Sequence, residues 1–128
     1  IDELVNNKIR IFERYKSNLS QFKELKLNQE SNELKNGVWA TVLEFDKNLK
    51  LDSQEVISNL EKINLPSRPF FYPLSSLPAY NQKEKYEKLN INSYDICRRA
   101  IVLPSALNIK NENIDYYCEQ LLKILKIK

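Results

Sequence analysis

A proline-rich stretch, Leu65-Pro66-Ser67-Arg68-Pro69-Phe70-Phe71-Tyr72-Pro73-Leu74-Ser75-Ser76-Leu77-Pro78-Ala79-Tyr80, separates two segments that have helical periodicity. It holds four of the five prolines and four of the twelve Phe and Tyr residues of the chain. Proline fixes φ, has no backbone N–H, and biases the preceding residue toward extended conformations. This proline segment (residues 65–80) therefore predicts a stiff, extended edge of a sheet. Because it carries one guanidinium, Arg68, among three rings, it could form the wall of a binding cleft.

The chain before the proline segment predicts two helices and two strands. Residues 1–22 carry apolar side chains every three or four positions, which indicates a helix. Leu25–Leu27 predicts a short strand, and residues 38–45 are nearly continuous in apolar and β-branched types, which favours a strand covered on both faces. Trp39 opens this strand, either as a core residue or as a cleft residue whose indole N–H needs a partner. Asp52 is predicted to cap a helix.

The chain after the proline segment predicts helices around one more strand. Residues 81–89 are charged and helical or loop-like, and Asn92 or Ser93 is expected to cap a short helix that ends at about Ala100. Residues 101–103 predict a strand, and the amphipathic stripe from about Asn111 predicts a last helix. The whole pattern predicts one small α/β (α+β) domain with about three short strands and four helices packed on them.

The composition excludes several classes of function. The single glycine rules out the glycine-rich phosphate loops, and the absence of histidine rules out His-based triads and His-containing zinc sites. The net charge of +3 is mild and the lysines alternate with glutamates, so we predict no nucleic-acid partner. No apolar run reaches the length of a membrane span, so no membrane partner is predicted. Cys97 and Cys118 lack CxxC spacing and predict reduced thiols, with no metal site.

The chain contains no methionine and begins within a helical pattern that has no N-cap before it. We therefore expect the 128 residues to be one domain at the C-terminal end of a longer protein. Residues 1–22 would continue a helix that begins in the preceding domain.

The proline segment also carries a resemblance to a known family. Residues 67–74 followed by 77–80 resemble the "(T/S)RPFF-PLH--PAY" signature of the DegT/DnrJ/StrS-type nucleotide-sugar aminotransferases. Shorter motifs extend the resemblance over nearly the whole chain: Glu13-Arg14-Tyr15, Val38-Trp39, Ile101-Val102-Leu103-Pro104-Ser105 and Ile114-Asp115. The signature looks most like that of the perosamine synthases. Two positions depart from the family pattern, since Ser75 replaces a histidine and Ala100 replaces a glycine.

The resemblance implies the C-terminal small domain of a fold-type I, pyridoxal-phosphate-dependent enzyme that works in the cytoplasm. The parent enzyme would transfer an amino group from glutamate to a GDP-linked 4-keto-6-deoxyhexose. The Schiff-base lysine and the phosphate-binding loop belong to the large domain, so no catalytic residue is assigned here, and the isolated chain is not expected to be active. The implied partners are that large domain and a second copy in a homodimer.

The resemblance also implies the residues that would contact substrate. Arg68 is the candidate for an anionic group, either the donor carboxylate or the sugar phosphate, because a guanidinium fork suits both. Six other side chains would line the pocket: Trp39, Phe70, Phe71, Tyr72, Ser75 and Tyr80. Arg68 could instead pair with a glutamate of a neighbouring helix, and strand alternation should send Phe70 or Phe71 into the core. A non-catalytic interaction domain and the matching domain of a keto-sugar dehydratase are the alternative functions.

Overall fold

A four-stranded antiparallel sheet with the order β1-β2-β4-β3 organises the domain. The computed structural model describes residues 1–34, 36–80 and 83–127. The strands are β1 (Leu25–Leu27), β2 (Thr41–Phe45), β3 (Arg68–Pro69) and β4 (Ala100–Leu103). The helices are α1 (Asp2–Leu19), α2 (Ser53–Glu61), α3 (Lys83–Glu87), α4 (Ile91–Arg98) and α5 (Asn111–Leu125). The predicted mixed α/β fold is confirmed, with four strands and five helices among the described residues.

One face of the sheet and three helices enclose the core. The inward positions of the two central strands, Leu43 and Phe45 on β2 and Ile101 and Leu103 on β4, are at most 2% exposed. They pack with the apolar stripes of three helices, whose buried members include Ile11, Tyr15 and Leu19 (α1), Val56 and Leu60 (α2), and Ile114 and Leu121 (α5). These helical residues recur at three- and four-residue steps, so each helix turns one face to the sheet.

The strand predicted over residues 38–45 is shorter and less covered than expected. It begins at Thr41, and its side chains alternate between buried and half-buried positions, so only one face lies in the core. The reason for the late start is Val38, which has a left-handed φ of 40° and whose N–H donates to Oδ1 of Asn36 (2.9 Å). This turn interrupts the extended backbone three residues before Thr41. The prediction that Trp39 opens the strand is therefore wrong.

The helix boundaries agree with the sequence at the starts of α2 and α5, which begins at Asn111 as predicted, and differ in three places. Asp52 caps α2 as predicted, since its Oδ1 accepts from the N–H of Gln54 at 2.8 Å. Helix α1 ends at Leu19 rather than near residue 22. Helix α4 follows Asn90 rather than Asn92 or Ser93, and Ala100 already belongs to β4. The helical or loop-like segment predicted over 81–89 contains α3, while its first two residues lie outside the described part of the chain.

The proline segment forms the edge of the sheet, as predicted. Only Arg68 and Pro69 pair with β4, opposite Val102 and Ile101. Proline lacks the donor that a longer ladder would need, which explains why β3 is two residues long. None of the described helices is both long and apolar enough to cross a membrane.

Candidate functional site

A groove of about 500 Å³ lies where β3, the start of β2 and the end of β4 meet. It draws residues from four parts of the chain, which are Lys8 of α1, Trp39 and Ala40, Pro66 to Arg68, and Val102 to Ala106. The antiparallel order β2-β4-β3 places these distant segments side by side. The groove is therefore a product of the sheet topology rather than of one local motif.

Arg68 lies in this groove with its side chain exposed. Its guanidinium makes no hydrogen bond and no ion pair with any of the described residues, so the predicted alternative of a glutamate partner is not found there. The other arginines all have acceptors: Asn111 and the Ile109 carbonyl for Arg10, Asp115 for Arg14, Glu87 for Arg98, and Glu44 and Asp95 for Arg99. Five unengaged N–H donors are thus available to an anion at this place.

Two aromatic rings stack at the surface beside the groove. Trp39 is 68% exposed and Phe71 is 56% exposed, and their ring centroids are 5.7 Å apart with an interplanar angle of 29°. Phe70 is half-buried and meets Phe71 at 5.3 Å in an edge-on arrangement. The core alternative for Trp39 is therefore wrong. Neither Phe70 nor Phe71 is fully buried, so the prediction that one of them enters the core is wrong as well.

The remaining predicted residues do not line the groove. Tyr72 and Tyr80 are exposed, and the Tyr72 hydroxyl accepts from Nε2 of Gln54 on α2 at 3.3 Å. Ser75 is half-buried and shares a hydrogen bond of 2.9 Å with the hydroxyl of Tyr94 on α4. The structure therefore brings together Arg68, Trp39 and Phe71, with Tyr72, Ser75 and Tyr80 further along the proline segment.

Lys8 is a groove residue that sequence reasoning did not select. Its Nζ donates to the carbonyl oxygen of Ser105 at 2.6 Å and lies 3.2 Å from the Ser105 hydroxyl. One signal was available, because Lys8 stands one helical turn before the buried Ile11 and Phe12 and so borders the apolar stripe. Nothing in the sequence indicates its partner, which is 97 residues away.

A buried tyrosine fixes the end of β4 that lines the groove. The hydroxyl of Tyr15 donates to the Pro104 carbonyl at 2.9 Å, and burial raises the pKa of Tyr15 well above its ordinary value. Burial also raises the pKa of the Cys118 thiol to about 12 and, less strongly, the pKa of Cys97. None of these groups lines the groove, and burial is the main cause of each shift. They are structural groups that lie outside the groove.

No cluster of three or more potential metal ligands occurs among the described residues. The groove also does not fit pyridoxal phosphate by itself. Lys8 already donates to Ser105, no Gly-rich loop offers backbone N–H groups, and Arg68 alone would have to hold the phosphate. The domain therefore supplies a cationic and aromatic wall, and no step of a cofactor reaction can be assigned to its residues.

Solved structures with the same fold define the class of domain. A sugar aminotransferase from Streptococcus pneumoniae, solved in PLP and PMP forms, matches 96% of this chain and 31% of its own with a TM-score of 0.82 and 19% identity. A GDP-4-keto-6-deoxy-D-mannose-3-dehydratase from Escherichia coli with bound hydrated PLP matches 94% of this chain and 31% of its own with a TM-score of 0.66 and 12% identity. The fold is thus shared with one part of larger sugar-modifying enzymes.

Sequence comparison identifies the family. Residues 1–122 match the DegT/DnrJ/EryC1/StrS aminotransferase family, and the chain belongs to it. A GDP-perosamine synthase from Vibrio cholerae is 30% identical over 119 residues, which are 92% of this chain and 32% of that protein. A GDP-perosamine synthase from Escherichia coli O157:H7 is 28% identical over 120 residues, which are 94% of this chain and 31% of that protein. The chain spans about a third of the length of these relatives.

Proposed function

We propose that this chain is the C-terminal small domain of a pyridoxal-phosphate-dependent aminotransferase whose substrate resembles that of the perosamine synthases. The full enzyme would transfer an amino group from glutamate to a nucleotide-linked 4-keto-deoxysugar. Membership in the aminotransferase family supports the reaction, and the PLP and PMP forms of the pneumococcal protein support the cofactor. Two perosamine synthases among the relatives support a GDP-linked substrate.

The observation that carries the proposal for this domain is Arg68, which has no side-chain partner in the described part of the chain, beside the exposed Trp39–Phe71 stack. A guanidinium binds carboxylate or phosphate oxygens through two parallel N–H···O bonds, which fix orientation as well as position. Aromatic rings beside it exclude water and pack against a sugar or a base. Such a wall orients a substrate whose chemistry takes place on another domain, where the cofactor supplies the electron sink.

The domain would act as one part of a larger enzyme, since the relatives are about three times as long as this chain. Its proposed partners are the large domain that precedes it and a second copy of the whole enzyme in a homodimer. A biosynthetic enzyme that uses glutamate and a nucleotide sugar would work in the cytoplasm, where both are made. The 128-residue chain alone is expected to be inactive.

The full-length gene product tests this function. On addition of glutamate we expect its absorption to change from the PLP to the PMP form, and a GDP-linked 4-keto-6-deoxyhexose should then be aminated and restore the first spectrum. Mass spectrometry of the sugar would show replacement of the keto oxygen by an amino group. A protein that binds no PLP, or leaves the keto group unchanged with every amino donor, would contradict the proposal.

A keto-sugar dehydratase is the second candidate, because a dehydratase of this kind shares the fold. Both enzymes would place similar walls around similar sugars, so this domain does not distinguish them. The product does. A dehydratase would remove a ring hydroxyl group and leave the keto group in place, whereas an aminotransferase would replace the keto oxygen by an amino group and retain all the hydroxyl groups.

A further inference from the structure

A hydrogen bond between Tyr94 and Ser75 ties the proline segment to helix α4. Tyr94 is 5% exposed, and its phenol oxygen lies 2.9 Å from Oγ of Ser75, either of which can donate. Ser75 is the middle residue of a 3-10 turn, Leu74–Ser76, that follows the aromatic rings. The bond therefore joins a buried side chain of α4 to a half-buried residue of the proline segment, a few positions after Phe70 and Phe71.

Residues 70–80 pack on the domain through the buried Pro73 and through contacts of the 3-10 turn with α3, but they have few other hydrogen bonds to it. The N–H groups of Ser76, Leu77 and Tyr80 bond only to carbonyls within the segment, at 2.8 to 3.1 Å. The pairing with β4 ends at Pro69. In the described part of the chain, the side-chain hydrogen bonds that connect residues 70–80 to other elements are Ser75–Tyr94 and the longer, exposed Gln54–Tyr72 contact of 3.3 Å.

The two bonds differ in how firmly they hold. Tyr72 and Gln54 are exposed, so water can replace either partner at little cost. Tyr94 is buried, and its hydroxyl has no other partner among the described residues, so losing Ser75 leaves a buried polar group unpaired. The Tyr94–Ser75 bond is therefore the stronger side-chain restraint on the segment.

We propose that Tyr94 is a positioning residue, which holds the 3-10 turn against α4 and thereby keeps Phe70 and Phe71 in place beside Arg68, which is itself held by the pairing of β3 with β4. This inference rests on the function proposed above. If the wall is correctly placed in only a fraction of molecules, the apparent affinity for substrate falls by that fraction, while saturating substrate selects the correct arrangement. Loss of the Tyr94–Ser75 bond should therefore raise KM and leave kcat nearly unchanged.

The test compares Tyr94→Phe, Ser75→Ala and the double variant in the full-length enzyme, with Tyr116→Phe as the matched control. Tyr116 is 53% exposed on α5, and its hydroxyl has no partner among the described residues. We expect the two single variants to exchange the amides of residues 74–80 several-fold faster than wild type. Their KM for the nucleotide sugar should rise about threefold to tenfold with kcat changed less than twofold. The double variant should be no worse than either single one, because both remove the same bond.

Ser75→Thr, which keeps the hydroxyl, should restore slow exchange and a KM close to wild type, and Tyr116→Phe should change neither. Unchanged amide exchange in Tyr94→Phe would overturn the proposal. Faster exchange with an unchanged KM would overturn it too, because the bond would then position nothing that the substrate uses. Failure of the proposed function would appear separately, as a wild-type enzyme that aminates no sugar, and exchange would still report on the bond.

Discussion

Arg68 is unusual among the arginines of this domain because it has no acceptor within the described residues. An arginine left free on a sheet edge contributes little to stability, so its value lies in what it can bind. Arg68 and Trp39 both line the groove, so an anion bound by Arg68 would lie beside the Trp39 ring. Substitution of Arg68 should therefore change substrate binding without changing the stability of the fold.

We predict that Arg68→Ala lowers kcat/KM of the full-length enzyme more than tenfold, while its unfolding temperature stays within about 2 °C of wild type. The reason is the loss of a charge-assisted pair of hydrogen bonds to substrate, for which tenfold corresponds to about 1.4 kcal/mol. Steady-state kinetics and thermal unfolding measure the two effects on the same preparation.

Two variants control this measurement. Arg98→Ala removes an exposed arginine that pairs with Glu87 on the neighbouring helix, and it should leave kcat/KM within about twofold. Arg68→Lys keeps the charge without the planar fork and should give an intermediate rate. Wild-type kinetics in Arg68→Ala would remove Arg68 from the site.

Asp95 ties the pH dependence of stability to one ion-pair network. Its carboxylate accepts from Nε and Nη2 of Arg99 at 3.0 and 2.8 Å and lies 3.2 Å from Nζ of Lys47. The hydrogen bonds from Arg99, and then the one from Lys47, hold the pKa of Asp95 below its ordinary value. A carboxylate with a depressed folded-state pKa adds stability that is fully present above its unfolded pKa of about 3.9 and is lost as pH falls toward the folded value.

We therefore predict that wild type is more stable than Asp95→Asn near pH 7 and that this difference shrinks as pH falls from about 5 to about 2.5. Urea unfolding at a series of pH values measures the difference directly. Both proteins should still lose stability in acid, because the pKa of Asp115 is also lowered by Arg14. A difference that stays constant over the whole range would show that Asp95 does not titrate with a depressed pKa in the folded state.

Two aspartates cap neighbouring elements with the same geometry, which allows a matched test at the scale of the element. Asp52 accepts from Gln54 N–H at 2.8 Å before the nine-residue α2, and Asp46 accepts from Asn48 N–H at 2.8 Å before a one-turn 3-10 helix. Helix α2 buries Val56, Ile57 and Leu60 in the core, whereas the 3-10 turn buries nothing fully. The cap of α2 therefore supports far more packing.

We predict that Asp52→Ala lowers the free energy of unfolding by about 1 kcal/mol and Asp46→Ala by less than half of that. Denaturant unfolding with an unchanged slope would locate both effects in stability rather than in the denatured state. Equal losses in the two variants would mean that the cap bond itself, and not the helix it begins, sets the cost.

The elements could be predicted wherever the physical cause is local. The apolar stripes of α1 and α5, the cap at Asp52 and the edge position of the proline segment all follow from periodicity, a side-chain acceptor and missing N–H donors. The prediction for the first three residues of the strand over 38–45 was wrong because Val38 adopts a left-handed φ, which a β-branched residue rarely does and which no sequence pattern indicates.

The candidate site could be predicted only in part, for a topological reason. Arg68 and its rings were found in one stretch, because their residue types and prolines are adjacent in sequence. Lys8, Ala40 and Ser105 reach the groove through the strand order β2-β4-β3 and the packing of α1, which link positions up to 97 residues apart. Without the register of those strands, the sequence of each separate segment does not predict that these three residues lie together.

At the scale of the whole molecule, the first half of α1 carries a stripe of exposed apolar side chains. Ile1, just before the helix, and Leu4, Val5 and Ile9 within it are between 39% and 90% exposed, although one face of the second half of α1 is buried in the core and packs on α5. The relatives are about three times as long as this chain. We propose that this stripe packs against the preceding large domain, whose presence the function requires.

Val5→Lys tests this proposal, with Asn6→Lys as the matched control that adds the same charge at the next, exposed position. In the 128-residue chain both changes should alter the free energy of unfolding by no more than about 0.5 kcal/mol, because both sites are solvated there. In the full-length enzyme only Val5→Lys should lower the unfolding temperature, since it would bury an unpaired charge between domains. A full-length protein that tolerates Val5→Lys as well as Asn6→Lys would show that the large domain docks elsewhere, and the apolar half of α1 would then have no role in joining the domains.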